Sequence, residues 1–348
     1  MNGLVFRGIR DIRYEPVPDP RIEAPDDALV RVRLAGICGS DMHVYHGREQ
    51  GLDVGTVMGH EMVGDIVAVG SAIQRFRPGQ RVGSPFTTNC GGCFYCRTGL
   101  TARCECGQLF GWRQNGKGLH GMQAEFVRVP KADSTLFAIP EDVDDREALL
   151  LGDVLPTGYY CAARADIDSQ SVCVVLGCGP VGLMAVAAAR YLGCQTIFAV
   201  DSVPDRLSMA AQFGALPLDL HKDEVAASIM RHTDGRGADA VLEAVGSPQA
   251  MRLAYELVRP GGVISTVGVH TESGFAFSPA EAYDKNLTFR IGRCPARALL
   301  AEAMQILRAF REPIRANFTH ELSLSQGAEG YRLFDEKREG CLKVVLRP

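Results

Sequence analysis

Residues 172–201 read VCVVLGCGPVGLMAVAAARYLGCQTIFAVD, and the fold is decided by how this stretch is divided. Residues 172–176 are apolar and mostly β-branched, with the length of a buried strand. Gly177-Cys178-Gly179-Pro180-Val181-Gly182 follows as a tight turn, and residues 181–192 continue as an apolar helix. A second strand over 196–200 ends on Asp201, nineteen residues beyond Gly182. A lone G-x-G-x-x-G carries little weight. Set between a strand and a helix, with an acid closing the next strand, it is the phosphate-binding turn of a dinucleotide domain. Its first glycines let the backbone approach a pyrophosphate at the helix N-terminus, while Asp201 offers a carboxylate to the hydroxyls of the adenosine ribose. That carboxylate would repel a phosphate on the ribose, and Ser202 stands where an arginine would welcome one. NAD is therefore expected over NADP. Arg206 reads first as a solvated helix residue, although it is able to swing back to the same end of the cofactor.

Residues 172–189 are also as long as a membrane span, but the glycines and proline inside the run favour strand, turn and helix. The alternation continues with a strand over 239–245, a helix to about 258, a strand over 261–268 and a last strand over 286–291, which predicts a doubly wound parallel sheet. Ligands of such sheets lie beyond the carboxyl ends of the strands. Val245, Val267, Gly268 and Val269 are placed there, lining a nicotinamide largely by their backbones.

Upstream, from Val5 to about Ile139, short β-branched runs such as 28–35 and 63–69 alternate with Gly, Pro and Asp, the pattern of a β-rich, partly barrel-like domain. Within it CGGCFYCRTGLTARC places Cys90, Cys93, Cys96 and Cys104 at intervals of two, two and seven residues. Short intervals fold three thiolates round one ion and the longer loop returns the fourth, which predicts a closed structural zinc site. Cys106 lies just beyond as a spare thiol or a competing ligand. Six further cysteines are scattered as small core residues.

A second group of donors lies in residues 36–61, GICGSDMHVYHGREQGLDVGTVMGHE. Cys38, His60 and Glu61 offer sulfur, nitrogen and oxygen, a mixture that suits zinc better than magnesium or calcium. Asp41 can accept the second ring N–H of a ligating imidazole. Ser40 and His43 are a hydroxyl and an imidazole able to pass a proton to solvent. Singly, each is as well explained by a core thiol, a core histidine or a solvated acid. Asp153 is the one acid in the middle of the apolar run 147–164, EALLLGDVLPTGYYCAAR, where it needs a cation, an arginine or a helix N-terminus. Residues 109–121 are glycine-rich and carry Phe110 and the single tryptophan, Trp112, either a pocket wall or a cap on the core.

The chain has 348 residues, 46% of them hydrophobic and 22% charged, the composition of a globular protein with room for two domains. A net charge of -4 without a basic run gives no footprint for nucleic acid. Arg7 interrupts the N-terminal stretch and no long apolar region follows, so no signal peptide is inferred and a cytoplasmic location is expected. Twelve cysteines in that setting argue for metal binding before disulfides.

Taken together, Cys38, His60-Glu61, the four-cysteine loop and the glycine turn with Asp201 resemble the zinc-dependent medium-chain dehydrogenases of the alcohol dehydrogenase group, over essentially the whole chain. The resemblance implies a GroES-like β-rich catalytic domain over 1–155, a Rossmann cofactor domain over 156–293 and a return to the catalytic domain over 294–348, in all an α/β protein. It implies two zinc ions per chain. Cys38, His60 and Asp153 become catalytic-zinc ligands, Glu61 a near or exchangeable ligand, and Asp41 the support of His60. Asp153 replaces a commoner cysteine, as in a branch that resembles formaldehyde dehydrogenases and some bacterial broad-range alcohol dehydrogenases. The long loop of the glutathione-independent formaldehyde dehydrogenases is missing, so tightly held cofactor and dismutation are not carried over. Thr157 falls beside the nicotinamide, Phe86 in the pocket wall and Lys343 near the pyrophosphate, while Ser40, the nicotinamide ribose and His43 form a proton relay. The implied activity is NAD-linked, reversible oxidation of primary or secondary alcohols by a homodimer or homotetramer. A polyol, sugar or amino-alcohol dehydrogenase of the threonine or butanediol type is the alternative enzyme. A non-catalytic zinc and nucleotide binder acting as a redox sensor is the alternative of another class.

Overall fold

The computed structural model describes residues 1–348, which divide into two compact units. The first comprises residues 1–153, 295–300 and 318–348, the second residues 154–294 and 301–317. The C-terminal segment therefore does not return to the first unit as a block. Helices Leu300–Ala309 and Arg311–Arg315 belong almost wholly to the second unit, and only the residues on either side of them rejoin the first.

In the first unit a seven-stranded sheet is organised on Ala28–Ile37. Its alternating residues Val30, Val32 and Leu34 are buried while Arg31 and Arg33 face outward, the period-2 pattern of a strand with one face on a core. Met62–Val69 pairs antiparallel on one side, with Ala35 opposite Met62. Lys343–Arg347 pairs antiparallel on the other, with Val344 opposite Ile37. The central strand thus runs out at Cys38 where its neighbours begin, so His60, Glu61 and Lys343 gather at that end. Beneath lies a core that includes Leu4, Val30, Met62, Phe110 and Tyr331. Truncating a buried leucine such as Leu4 to alanine should cost about 2–5 kcal/mol.

The second unit is a six-stranded parallel sheet. Across it run Leu216–Asp219, Thr196–Asp201, Val172–Leu176, Ala238–Glu243, Val258–Thr266 and Thr288–Ile291. Val172–Leu176 is buried at every position, as expected of a strand covered on both faces. The strand order reverses between it and Ala238–Glu243, which makes their carboxyl ends the switch point where such sheets bind ligands. Helix Pro180–Tyr191 starts with proline at its first turn, where no N–H is needed, and stops at Gly193 with φ 101°, a left-handed stop glycine. The apolar run 172–189 is accordingly cut into strand, turn and helix, and no helix is long and apolar enough to cross a membrane.

Candidate active site

Cys38, His60, Glu61 and Asp153 come together, all buried, with one donor atom from each within 4.8 Å of the others. Antiparallel pairing delivers Cys38 and the His60-Glu61 pair. Asp153 sits in the short break between helices Asp145–Leu151 and Val154–Ala163. One Asp153 oxygen, Oδ2, lies 3.5 Å from Cys38 Sγ and 3.3 Å from His60 Nε2. On the other side of the ring, His60 Nδ1 faces Asp41 Oδ1 at 3.3 Å, while Asp41 Oδ2 accepts the Cys38 N–H at 2.9 Å. Asp41 thereby orients one donor residue and anchors the backbone of another. Ser40 Oγ reaches His60 Nε2 at 3.2 Å, and the Phe86 ring stands edge-on to the imidazole with 6.4 Å between centroids. His43 is buried on the helix Asp41–Tyr45.

Burial pushes the Cys38 thiol up, helped by the nearby carboxylates of Asp153 and Glu61. Burial opposes a charge on His60, yet Asp41 and Asp153 raise its pKa well above the usual imidazole range. Burial likewise opposes ionisation of Asp153, and the hydrogen bond from His60 outweighs it, so Asp153 is lowered. Burial raises Glu61 while the charge on Lys343 works the other way. The cluster is a set of acids and a thiol that demands positive charge. Soft and hard donors within bonding span of one point, together with the buried Glu61 Oε1 that has no hydrogen-bond partner, fit a zinc ion.

Lys343, expected near the cofactor pyrophosphate, has its bonds within its own unit. It is fully buried, its ammonium donating to Glu61 Oε2 and, at 3.0 Å, to the carbonyl of Ile37. Its partner is the donor cluster. The reason is register: the strand that carries it lies beside Ile37. Two further residues escaped the sequence reading. Gln123 is buried, donates to Gly36 O at 2.9 Å and to Asp41 Oδ2 at 3.5 Å, and accepts from the Tyr331 hydroxyl at 2.8 Å. The orientation of Asp41 is thus tied to the core through side chains that no local motif announces.

Cys90, Cys93, Cys96 and Cys104 form the other donor group, again within 4.8 Å. Loop N–H groups point at their sulfurs: Cys93 N at Cys90 Sγ (3.3 Å), Cys96 N at Cys93 Sγ (3.5 Å) and Cys90 N at Cys104 Sγ (3.2 Å). Hydrogen bonds from the backbone of Glu105 and Cys96 lower Cys93 to about 6, whereas burial pushes Cys96 to about 12. Cys106 is exposed and outside the group.

In the second unit Gly177 has φ 86°, and a Cβ on Gly182 would lie 1.7 Å from Gly177 O, so the turn admits only glycine at these two points. Gly179 caps the helix, Pro180 begins it and Val181 is half-buried beside them. Asp201 closes its strand, but its carboxylate is already engaged. Oδ2 accepts from Cys178 N at 2.7 Å, and Oδ1 from Ser202 N at 2.7 Å and Val203 N at 2.9 Å. Arg206 Nη1 is 3.9 Å from Oδ2. Val245 and Val269 are exposed, Val267 and Gly268 half-buried, and Thr157 is buried on the helix Val154–Ala163. Phe110 corrects the expectation of a pocket wall. It is 1% exposed and belongs to the core, against which the half-buried Trp112 also packs, because residues 109–112 fold inward after the cysteine loop.

Comparison with known proteins agrees with this geometry. Residues 24–141 match the model of the alcohol dehydrogenase GroES-like domain, and residues 180–308 that of the zinc-binding dehydrogenase. Zinc-type alcohol dehydrogenase B of Aspergillus flavus is 40% identical over 356 residues, covering 100% of this chain and 81% of the relative. An alcohol dehydrogenase of Cupriavidus necator is 32% identical over 368 residues, covering 100% of this chain and 99% of the relative. The solved structure of alcohol dehydrogenase TADH from Thermus sp. ATN1 superposes with a TM-score of 0.91 at 40% identity, covering 100% of this chain and 99% of that one. Two family models that between them match both units, and a relative 40% identical over the whole chain, show that this chain belongs to the zinc-dependent medium-chain alcohol dehydrogenase family.

Proposed function

We propose that the protein oxidises primary or secondary alcohols reversibly to aldehydes or ketones, with NAD as hydride acceptor. The observation that carries this reading is the meeting of Cys38 Sγ and His60 Nε2 on one oxygen of Asp153, with Glu61 alongside. Cys38, His60 and Asp153 would hold a catalytic zinc ion, with Glu61 in reserve on Lys343, and Cys90, Cys93, Cys96 and Cys104 would hold a structural one. When bound, the zinc supplies Lewis-acid polarisation of the substrate oxygen, and the nicotinamide supplies the hydride chemistry.

The chain's own residues do the rest. Asp41 fixes the ring of His60 through Nδ1, leaving Nε2 for the metal. Ser40 Oγ, now on His60 Nε2, is the nearest hydroxyl able to take the proton that the alcohol loses. His43, on the next helical turn, is the group to pass it on. Phe86 walls the donor cluster with an apolar edge, which favours simple alcohols over polyols and sugars. Gly177, Gly179 and Gly182 admit the pyrophosphate, Asp201 the adenosine ribose, and the strand ends at Val245, Val267, Gly268 and Val269, with Thr157, the nicotinamide. The carboxylate of Asp201 disfavours a ribose phosphate, whence NAD over NADP. A homodimer or homotetramer in the cytoplasm belongs to the same reading, and exposed Phe275, Tyr283 and Ile291 are apolar surface of the kind a second copy covers.

The test is a panel of primary alcohols, secondary alcohols, polyols and amino alcohols with zinc-loaded protein and either NAD or NADP. Turnover of simple alcohols with NAD is expected. Absence of turnover with every member of the panel, in both directions, would leave the non-catalytic binder as the better account.

A further inference from the structure

The strand Ala238–Glu243 ends on an acid that none of the roles above uses. Glu243 is fully buried in the middle of the parallel sheet, in register with Leu176 on one side and Thr266 on the other. A carboxylate costs a great deal in such a place unless its oxygens are satisfied. They are. Oε1 accepts from Val245 N at 2.8 Å and Gly246 N at 2.7 Å, and Oε2 accepts from Thr266 Oγ1 at 2.6 Å. Thr266 spends its only proton on this bond, so its oxygen is left to accept from His270 Nε2 at 2.9 Å.

The carboxylate therefore joins two segments that follow neighbouring strands, residues 243–246 and 266–270. They are pressed together backbone to backbone. A Cβ on Gly268 would lie 2.3 Å from Gly246 N and 2.8 Å from Glu243 Oε2, and one on Gly246 would lie 2.6 Å from Val269 O. Val245 in turn packs over the glycine turn, its Cγ2 2.6 Å from where a Cβ of Gly177 would stand. Moving the carboxylate would move all of these together.

We propose that Glu243 is the positioning residue of the nicotinamide end of the cofactor crevice. It acts by holding the backbones of Val245, Val267, Gly268 and Val269 in place, and the inference rests on the reading of NAD as cofactor. A carboxylate suits the task because one side chain accepts from two N–H groups and a hydroxyl in separate segments. Glutamine keeps its carbonyl on the N–H pair and its amide donates to Thr266 Oγ1, whose proton then turns to His270 Nε2, so both segments stay joined. Alanine cannot, and leaves two N–H groups to find new partners by shifting the loop.

The test compares binding of NADH and of ADP-ribose, which lacks the nicotinamide, to the zinc-loaded protein. Wild type, Glu243→Gln, Glu243→Ala and Thr266→Val are titrated by calorimetry. The expected result for Glu243→Ala is about tenfold weaker NADH binding with ADP-ribose within about twofold, and for Glu243→Gln near wild-type binding of both. Equal losses of both ligands in Glu243→Ala, or no loss of NADH, would overturn the proposal. Should Glu243→Ala fail to fold, Thr266→Val decides: a few-fold loss confined to NADH supports it, and unchanged NADH binding overturns it. Failure of the wild type to bind either ligand would overturn the NAD reading and this inference with it.

Discussion

Gly36 lacks a side chain where Glu61 needs space: a Cβ on Gly36 would fall 1.8 Å from Glu61 Oε2 and 3.2 Å from Lys343 Nζ. The backbone of Gly36 is not left-handed, so the requirement is for room. From either side of Ala28–Ile37 in the sheet, Glu61 and Lys343 meet in the niche that this glycine leaves open.

Gly36→Ala should therefore expel the carboxylate from its niche, and Lys343→Met should leave it buried without a cation. Breaking such a pair by removing one partner costs about 3–5 kcal/mol. Denaturant unfolding of the metal-free Lys343→Met protein should show a loss of that order, with part of it recovered on adding zinc as Glu61 turns to the metal. An unfolding midpoint equal to wild type would mean that Glu61 is already neutral in the folded protein.

Asp153→Asn keeps the shape of the side chain but weakens the donor. Zinc content should fall from two ions per chain towards one, the loop zinc staying, and kcat should fall with every alcohol along with kcat/KM. Loss of a supporting group alone weakens metal sites by about 10–100-fold, so the coordination sphere has to be seen directly. A zinc-bound structure with the Asp153 carboxylate turned away from the ion would refute the ligand role.

At the four-cysteine loop the protonation states set a pH dependence. Zinc takes thiolates, and Cys96 at about 12 is protonated across the neutral range, whereas Cys93 at about 6 is ionised above that pH. Binding near pH 7.5 must then release fewer than four protons, and affinity must fall as pH falls, most steeply below about 6 where Cys93 also holds a proton. Calorimetry of Cys38→Ala in buffers of different ionisation enthalpy counts the protons at this site alone. Cys93→Ser should abolish zinc binding at the loop together with its proton release, and lower the thermal midpoint of the metal-loaded protein.

Cofactor preference tests Asp201. Asp201→Ala should weaken NAD more than NADP in kcat/KM, since the ribose loses an acceptor and a phosphate loses a repelling charge. Three backbone N–H groups lose their acceptor as well, so stability should drop by about 1–3 kcal/mol. Asp201→Asn should spare much of the stability and still narrow the preference, which separates the two effects. Equal use of NAD and NADP by the wild type would remove the premise and direct attention to Arg206.

The glycine turn and the cysteine loop were legible because each is dictated within a few residues by backbone geometry or ligand spacing. Cys38, His60 and Asp153 were legible as unusual residues in their local settings, and their common point came from the resemblance. Lys343, Gln123 and Tyr331 depend on strand register and on contacts between segments far apart in the chain, which no local pattern encodes. Register also explains why Lys343 faces Glu61. Glu243 did carry a signal, a lone acid in an apolar run, the same one that marked Asp153. Phe110 misled because an aromatic in a glycine-rich loop reads equally well as pocket or core.

Glu61 and Lys343 stand 282 residues apart in the chain. At about 5–20 residues per second, a ribosome needs on the order of tens of seconds between making one and making the other. During that interval the amino-terminal part gains Asp153 and all four loop cysteines, yet lacks the strand that carries Lys343 to Glu61 and flanks Ile37. The whole dinucleotide unit is synthesised in between. All four donors, from Cys38 to Asp153, are thus made long before Lys343, so the early chain holds the Glu61 carboxylate without the ammonium that later pairs with it.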